Sequence, residues 1–293
     1  MRVGGTGKTP VVEHLARLLL ARGERPAVLS RGYGRRTRSA GATLVSDGSR
    51  IVADVDAAGD EPLMLARAVE GLIVVVDGDR YEAGVLAESH LGATVHVLDD
   101  GFQHFQLARD VDLLIVGADD LADAPLPSGR LREPLGVASA ADALIVDARD
   151  PADARAIGDR LRVGDVFAMH RALDRSRLPS ASEPVFAAAG IGRPERFFDD
   201  LRSAGLRVAG TMAFRDHHRF DAGDVARISA AALAAGATTV VTTCKDAVKL
   251  DATRFLPLSC LAIPLRTTIE PGTAFEGWLD ERLGAARARA ALR

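Results

Sequence analysis

The chain has 293 residues, room for one large or two ordinary domains, and its 47% hydrophobic content suits a buried core. With 37 Lys and Arg against 40 Asp and Glu the net charge is −3, which excludes the broad positive field of a general nucleic-acid binder. Cys244 and Cys260 are too few for a disulfide framework or a four-ligand zinc site, and a reducing compartment suits them.

In chain order, the first eight residues lack the charged and apolar regions of a signal peptide. No apolar run reaches the roughly 18 residues that a spanning helix needs. Short β-branched runs at 26–30, 72–76, 93–98, 111–116 and 143–146 predict buried parallel strands. Helical spacing of Val11, Val12, Leu15, Leu18 and Leu19, and of Leu63, Leu65, Ala66 and Val69, makes the pattern a repeated βαβ. A second series follows, with strands at 185–189, 206–209 and 238–243 and helices at 194–204 and 222–235. Charge and proline are richer over 150–182, so the boundary is placed near Asp153. The expected fold class is α/β. A P-loop NTPase-type parallel-sheet lobe covers 1–153 and a second, smaller α/β lobe covers 154–293, its C-terminal helix able to pack back on the first.

The strongest chemical signal is Gly4-Gly5-Thr6-Gly7-Lys8-Thr9, followed by Pro10 and an amphipathic helix. Backbone N–H groups of such a loop cradle phosphate oxygens at the positive end of a helix; Lys8 reaches the terminal phosphates and Thr9 ligates Mg²⁺. The full pattern has an earlier glycine where this chain has Arg2. Asp99-Asp100-Gly101-Phe102-Gln103-His104 directly follows an apolar run, which places two carboxylates at the carboxyl end of a strand, where nucleotide-bound Mg²⁺ needs oxygen ligands. Gly59-Asp60-Glu61-Pro62 is either an Asp N-cap with Pro62 opening a helix or a functional carboxylate pair. Arg31, Arg35, Arg36 and Arg38 around Gly32-Tyr33-Gly34 form either a solvated charged loop or a cationic one for a sugar phosphate or headgroup. His217 and His218 are adjacent, without metal-ligand spacing; His218 reads as a solvated loop residue. Trp278 and Phe275 read as packing of the last helix.

Taken together, VGGTGKTP at Val3, SRGYG at Ser30, GDEP at Gly59, LDDGFQH at Leu98, LREPL at Leu131, DHH at Asp216 and KDAVKL at Lys245 resemble the tetraacyldisaccharide 4'-kinase family of Gram-negative bacteria, in family order over nearly the whole chain. The resemblance implies ATP-dependent phosphorylation of the 4'-hydroxyl of a tetraacyldisaccharide 1-phosphate glycolipid in lipid A biosynthesis. It implies a peripheral protein at the cytoplasmic face of the inner membrane, with ATP and Mg²⁺ as cofactors, no nucleic acid and no protein partner. On this resemblance Asp60 of the first lobe and His217 of the second form an acid-base pair in a site between the lobes, with Lys8 also catalytic. Gly4, Gly5, Thr6, Gly7, Lys8, Thr9, Lys245 and Asp246 bind ATP. Thr9, Asp99, Asp100 and Glu133 hold the metal, and Arg31, Tyr33, Glu61, Gln103, His104 and Arg132 bind substrate. Two departures stand out: the family's N-terminal interfacial segment and lead-in strand have no counterpart before Val3, which predicts weakened membrane docking, and Cys244 replaces an acidic residue. Other readings of the same motifs are a P-loop kinase of another sugar or small metabolite and a nucleotide-switch ATPase.

Overall fold

The computed structural model describes residues 7–37, 41–148 and 150–292. Its first stretch runs α1 (Lys8–Ala21), β1 (Pro26–Ser30), β2 (Thr43–Asp47), α2 (Val55–Ala58), α3 (Asp60–Ala68), β3 (Ile73–Val76), α4 (Arg80–Leu91) and β4 (Val95–Leu98). Next come β5 (Leu113–Gly117), β6 (Ala143–Asp147), α5 (Pro151–Leu161) and β7 (Val166–Leu173). The remainder is β8 (Pro184–Ala189), α6 (Pro194–Ser203), β9 (Arg207–Ala213), α7 (Ala222–Ala234), β10 (Thr239–Thr243), α8 (Cys244–Ala247), β11 (Ser259–Ile263), β12 (Leu265–Glu270) and α9 (Gly272–Ala291).

These strands form three four-stranded sheets, ordered β2-β3-β1-β4, β11-β10-β8-β9 and β12-β7-β6-β5. In the first, β1 lies parallel between β3 and β4, with Ala27 opposite Ile73 and Leu29 opposite Leu98. Val28, Val74 and Val76 pack on one face with Val12 and Ala16 of α1 and Leu63 of α3. Ala27, Leu29, Ile73 and Val75 pack on the other face with Ala83 and Ala87 of α4. Helices thus cover both faces, which is why β1 and β3 read as unbroken apolar runs.

All eight predicted strands are present, with ends moved by at most four residues. Four more, β2, β7, β11 and β12, were not expected. Of these, β2, β11 and β12 are edge strands, half-exposed and mixed in polarity; β2 runs antiparallel to β3. The remaining one, β7, carries His170 and Arg171 in its eight residues, and such charge reads as linker rather than strand. There Arg171 forms an ion pair with Asp147 of β6.

Contacts divide the chain into two interleaved units, 1–8 with 100–171 and 267–293, and 9–99 with 172–266. The sheets containing β1 and β10 belong to the second of these and the sheet containing β6 to the first. This division differs from a single break near Asp153, because each unit draws strands or helices from distant stretches of sequence. In the first unit Trp278 Nε1 of α9 donates to Asp165, and Arg289 forms an ion pair with Asp110.

Gly59 joins α2 to α3 with φ of 87°, and a Cβ there would lie 2.8 Å from the Tyr33 carbonyl oxygen. Both the left-handed backbone and the contact require glycine. Gly59→Ala should therefore cost about 1–3 kcal/mol, read as a lower urea midpoint with an unchanged slope; an unmoved midpoint would contradict this account of the turn.

Candidate active site

Residues expected to act together sort into two clusters, one in each unit. In the unit containing 100–171, Lys8 opens α1, at the helix end that carries partial positive charge. Its ammonium lies 3.3 Å from Asp100 Oδ1, and Arg132 Nη1 lies 2.7 Å from Asp100 Oδ2. Burial raises the Asp100 carboxyl, but Lys8 and Arg132 outweigh it and hold the group below its ordinary value of 3.8. Asp100 itself sits just past β4 with φ of 60°, a conformation that Asp tolerates better than most residues. Gly7 has φ of 82°, and a Cβ there would meet Arg171 Nη1 at 2.9 Å, so this loop position also requires glycine. Gly4, Gly5, Thr6 and Arg38 lie outside the described residues.

Two buried polar atoms in this cluster, Glu133 Oε2 and Gln103 Nε2, have no hydrogen-bond partner. Arg132 Nη1 reaches Gln103 Oε1 at 3.5 Å. A buried polar group without a protein partner is open to water, an ion or a ligand. Among the described residues no group of three or more His, Cys, Asp or Glu side chains converges to hold a metal alone. Mg²⁺ bound together with nucleotide phosphates and water takes only one or two carboxylates and accepts oxygen donors. Asp100 and the orphaned Glu133 oxygen fit that demand.

The second cluster, in the unit formed by 9–99 and 172–266, centres on Asp60. Gly59 takes the N-cap position, so Asp60 is the first residue of α3 and Pro62 the third, which corrects the reading of an Asp cap with Pro62 opening the helix. The Asp60 side chain is 5% exposed. His217 Nδ1 lies 2.9 Å from its Oδ2 and 3.1 Å from its Oδ1, while the Glu61 backbone N–H donates to Oδ1 at 3.1 Å. The Tyr33 ring stands 5.0 Å from the His217 ring. Lys245 Nζ reaches Glu61 Oε1 at 3.0 Å, Asp216 Oδ1 at 3.2 Å and His217 Nε2 at 3.2 Å. Gly34, Val55, Asp60, His217, Arg219 and Lys249 line a small open pocket here. Arg219 is held on its rim by an ion pair with Asp56 and a 2.9 Å bond to the Gly34 carbonyl.

Asp60 and His217, expected from separate lobes, thus belong to the same compact unit. Asp246 has no exposed surface, and its Oδ2 accepts from Gly190 N and Thr243 Oγ1, each at 2.8 Å, which braces the turn into α8. Lys245 sits in the Asp60 cluster. Arg31 is exposed after β1, and the His104 carbonyl accepts from Arg109 Nη1 at 2.8 Å. His218 is no solvated residue: its Nε2 is 2.7 Å from Asp224 and its ring stacks on Phe214. Burial, with Glu13 nearby, pushes the Cys244 thiol up to about 11, so this position carries no negative charge near neutrality. Lys249 and Arg219 were not anticipated. For Lys249 a signal existed, since it lies four residues after Lys245, the spacing of one helical face.

Burial raises the Asp60 carboxyl; the hydrogen bond from His217 and the charges of Lys245, His217 and Lys249 more than reverse this, leaving it at about 2 against an ordinary 3.8. A carboxylate depressed on folding stabilises the protein above its unfolded value, and that contribution disappears as pH falls through the folded one. The stability difference between wild type and Asp60→Asn should therefore shrink as pH is lowered from 3.8 toward about 2. Urea titrations of both proteins at several pH values measure it; a difference constant with pH would refute the assignment.

Comparison with known proteins places the chain in a family. The sequence profile of LpxK, tetraacyldisaccharide-1-P 4'-kinase, matches residues 1–284. A tetraacyldisaccharide 4'-kinase of Geobacter metallireducens is 43% identical over 269 residues, covering 85% of this chain and 76% of that protein. One from a Bradyrhizobium species is 41% identical over 296 residues, covering 98% and 83%. The crystal structure of an "apo" form of LpxK from Aquifex aeolicus in complex with ATP matches with a TM-score of 0.74 at 29% identity, covering 96% of this chain and 86% of that one. By a profile match over nearly its whole length and by relatives of this identity, the chain belongs to the tetraacyldisaccharide-1-P 4'-kinase family.

Proposed function

We infer that this protein transfers the terminal phosphoryl group of ATP to the 4'-hydroxyl of a tetraacyldisaccharide 1-phosphate, in the synthesis of lipid A. Family membership supports the reaction. The observation that carries the residue roles is the 2.9 Å contact between His217 Nδ1 and the buried Asp60 carboxylate.

A sugar hydroxyl needs an acceptor for its proton as the new O–P bond forms and the bond to the ADP oxygen breaks. Asp60 is that acceptor in our reading. At about 2 it is a weak base for a free alcohol, so its first task is to orient the hydroxyl; it takes the proton late, when bonding to phosphorus has made the oxygen acidic. His217 orients Asp60, and Lys245 adds positive charge beside the pair. Gly4, Gly5, Thr6 and Gly7 cradle ATP phosphates, and Lys8 exchanges Asp100 for the terminal phosphates. Thr9, Asp99, Asp100 and Glu133 would hold Mg²⁺, which would neutralise phosphate charge. Arg31, Tyr33, Glu61, Gln103, His104 and Arg132 are assigned to the glycolipid.

The four acyl chains keep the substrate in a bilayer, and among the described residues no helix is long and apolar enough to cross one. We place the protein as a peripheral enzyme at the cytoplasmic face of the inner membrane, where ATP is found.

Incubation with Mg-ATP and tetraacyldisaccharide 1-phosphate in detergent should yield a product heavier by one phosphate in mass spectrometry; ADP release without that product would favour a nucleotide switch. Lys8→Ala should lower kcat/KM on the order of 10³-fold, the scale of removing a transition-state cation, with the melting temperature unchanged; near wild-type turnover would remove the P-loop from the mechanism. Residues that act as a unit lose activity non-additively. Asp60→Ala with His217→Ala should be scarcely slower than the worse single variant, and multiplying losses would separate the pair.

A further inference from the structure

Beneath the pair lies a second cation that the reaction as described does not use. The Lys249 side chain is 6% exposed, and its ammonium lies 3.3 Å from Asp60 Oδ2 and 3.1 Å from Asp246 Oδ1. Asp246 is fixed in turn by Gly190 at the end of β8 and by Thr243 at the end of β10. A Cβ at Gly190 would meet Asp246 Oδ1 at 3.2 Å, so backbone and carboxylate are closely packed there. Lys249 therefore ties Asp60 to the ends of two sheet strands, whereas His217 stands on a loop in a left-handed conformation, φ 57°.

We propose that Lys249 is a positioning residue for phosphoryl transfer, holding the Asp60 carboxylate at the angle from which it takes the substrate hydroxyl. The proposal rests on the reading of Asp60 as the proton acceptor. A lone-pair count supports it. Two carboxylate oxygens offer about four acceptor sites. Three donors occupy them, the Glu61 N–H on Oδ1, Lys249 on Oδ2 and the single Nδ1–H of His217 shared between the two oxygens, so roughly one site remains for the hydroxyl. Lys245 can donate to His217 Nε2 at 3.2 Å, which leaves the proton on Nδ1, facing Asp60. Removing Lys249 frees the carboxylate to rotate about its remaining partners. Stability alone gives little reason for a lysine here, because buried ion pairs are often no more stabilising than apolar packing. Its place in the wall of the pocket shared by Asp60 and His217 supplies a reason. The titratable groups facing Asp60 are His217, Lys245 and Lys249, with Glu61 beside it and Arg219 also on the pocket wall.

Lys249→Gln, Lys249→Arg and Asp60→Asn, each made in the full chain, test this by steady-state kinetics across pH. In folded Lys249→Gln, kcat should fall about 10²-fold, the scale of a misplaced catalytic group, while KM for ATP stays within about twofold. The acid limb of kcat/KM should move up by about one pH unit or more, since a cation has left the carboxylate. Lys249→Arg should keep the acid limb and fall between wild type and Lys249→Gln in kcat. A kcat within about threefold of wild type, or a loss of kcat with an unmoved acid limb, overturns the proposal. If Lys249→Gln does not fold, Lys249→Arg decides: a kcat loss of about tenfold at unchanged KM for ATP supports it and wild-type kcat overturns it. Asp60→Asn separates the two readings. Full activity there removes Asp60 as acceptor, whereas an inactive Asp60→Asn beside an active Lys249→Gln rejects the role of Lys249 alone.

Discussion

A carboxylate kept ionised almost out of reach of water is the constraint around which the second unit is arranged. Asp60 is 5% exposed, and an ion so placed is costly unless donors surround it. The chain provides them from separate stretches: the Glu61 N–H at the start of α3, His217 from the loop after β9, and Lys245 and Lys249 from α8 and the turn beyond it. Local departures from ordinary backbone serve the same end. Gly59 turns the chain so that Asp60 leads a helix, and His217 accepts a positive φ.

The cluster around Asp100 is organised differently. Its carboxylate is 35% exposed and bound by two flexible side chains, Lys8 and Arg132, rather than by backbone. Such pairs exchange partners at little cost, because water and salt screen what is lost. One cluster is fixed in place and the other can be re-paired, which suits a proton acceptor that must hold its aim and a loop that must release one anion to receive another. Cys244 fits the contrast: a neutral thiol adjoins Lys245, so no further acid competes with Glu61 and Asp216 for that ammonium.

Much of the fold is legible in the sequence where burial is two-sided. β1 and β3 are covered by helices on both faces, so their runs of Val, Ile and Leu admit little but a central strand. Edge strands such as β12, with alternating exposure, carry no such mark. In the site, residue types and motif order reveal which side chains carry chemistry but not which of them meet. Asp60 and His217 are 157 positions apart, and nothing in either motif says that they share a unit. The spacing of Lys249 from Lys245 hints at a shared face, but its burial between Asp60 and Asp246 shows only in the fold. Asp246 makes the same point: an acid in a polar motif looks exposed, and its burial is a tertiary fact.

The interleaved chain has a consequence for biosynthesis. One unit needs residues 172–266 to join 9–99, and the other needs 267–293 to join 1–8 and 100–171. On the ribosome, the β2-β3-β1-β4 sheet can assemble early, yet the Asp60 environment waits for His217, Lys245 and Lys249, and α9 emerges after them. Long-range closure of this kind slows folding and prolongs the exposure of unpaired strands. The nascent chain therefore carries the Asp60 carboxylate without its counter-ions until Lys249 has emerged, an exposure set by the order of the chain.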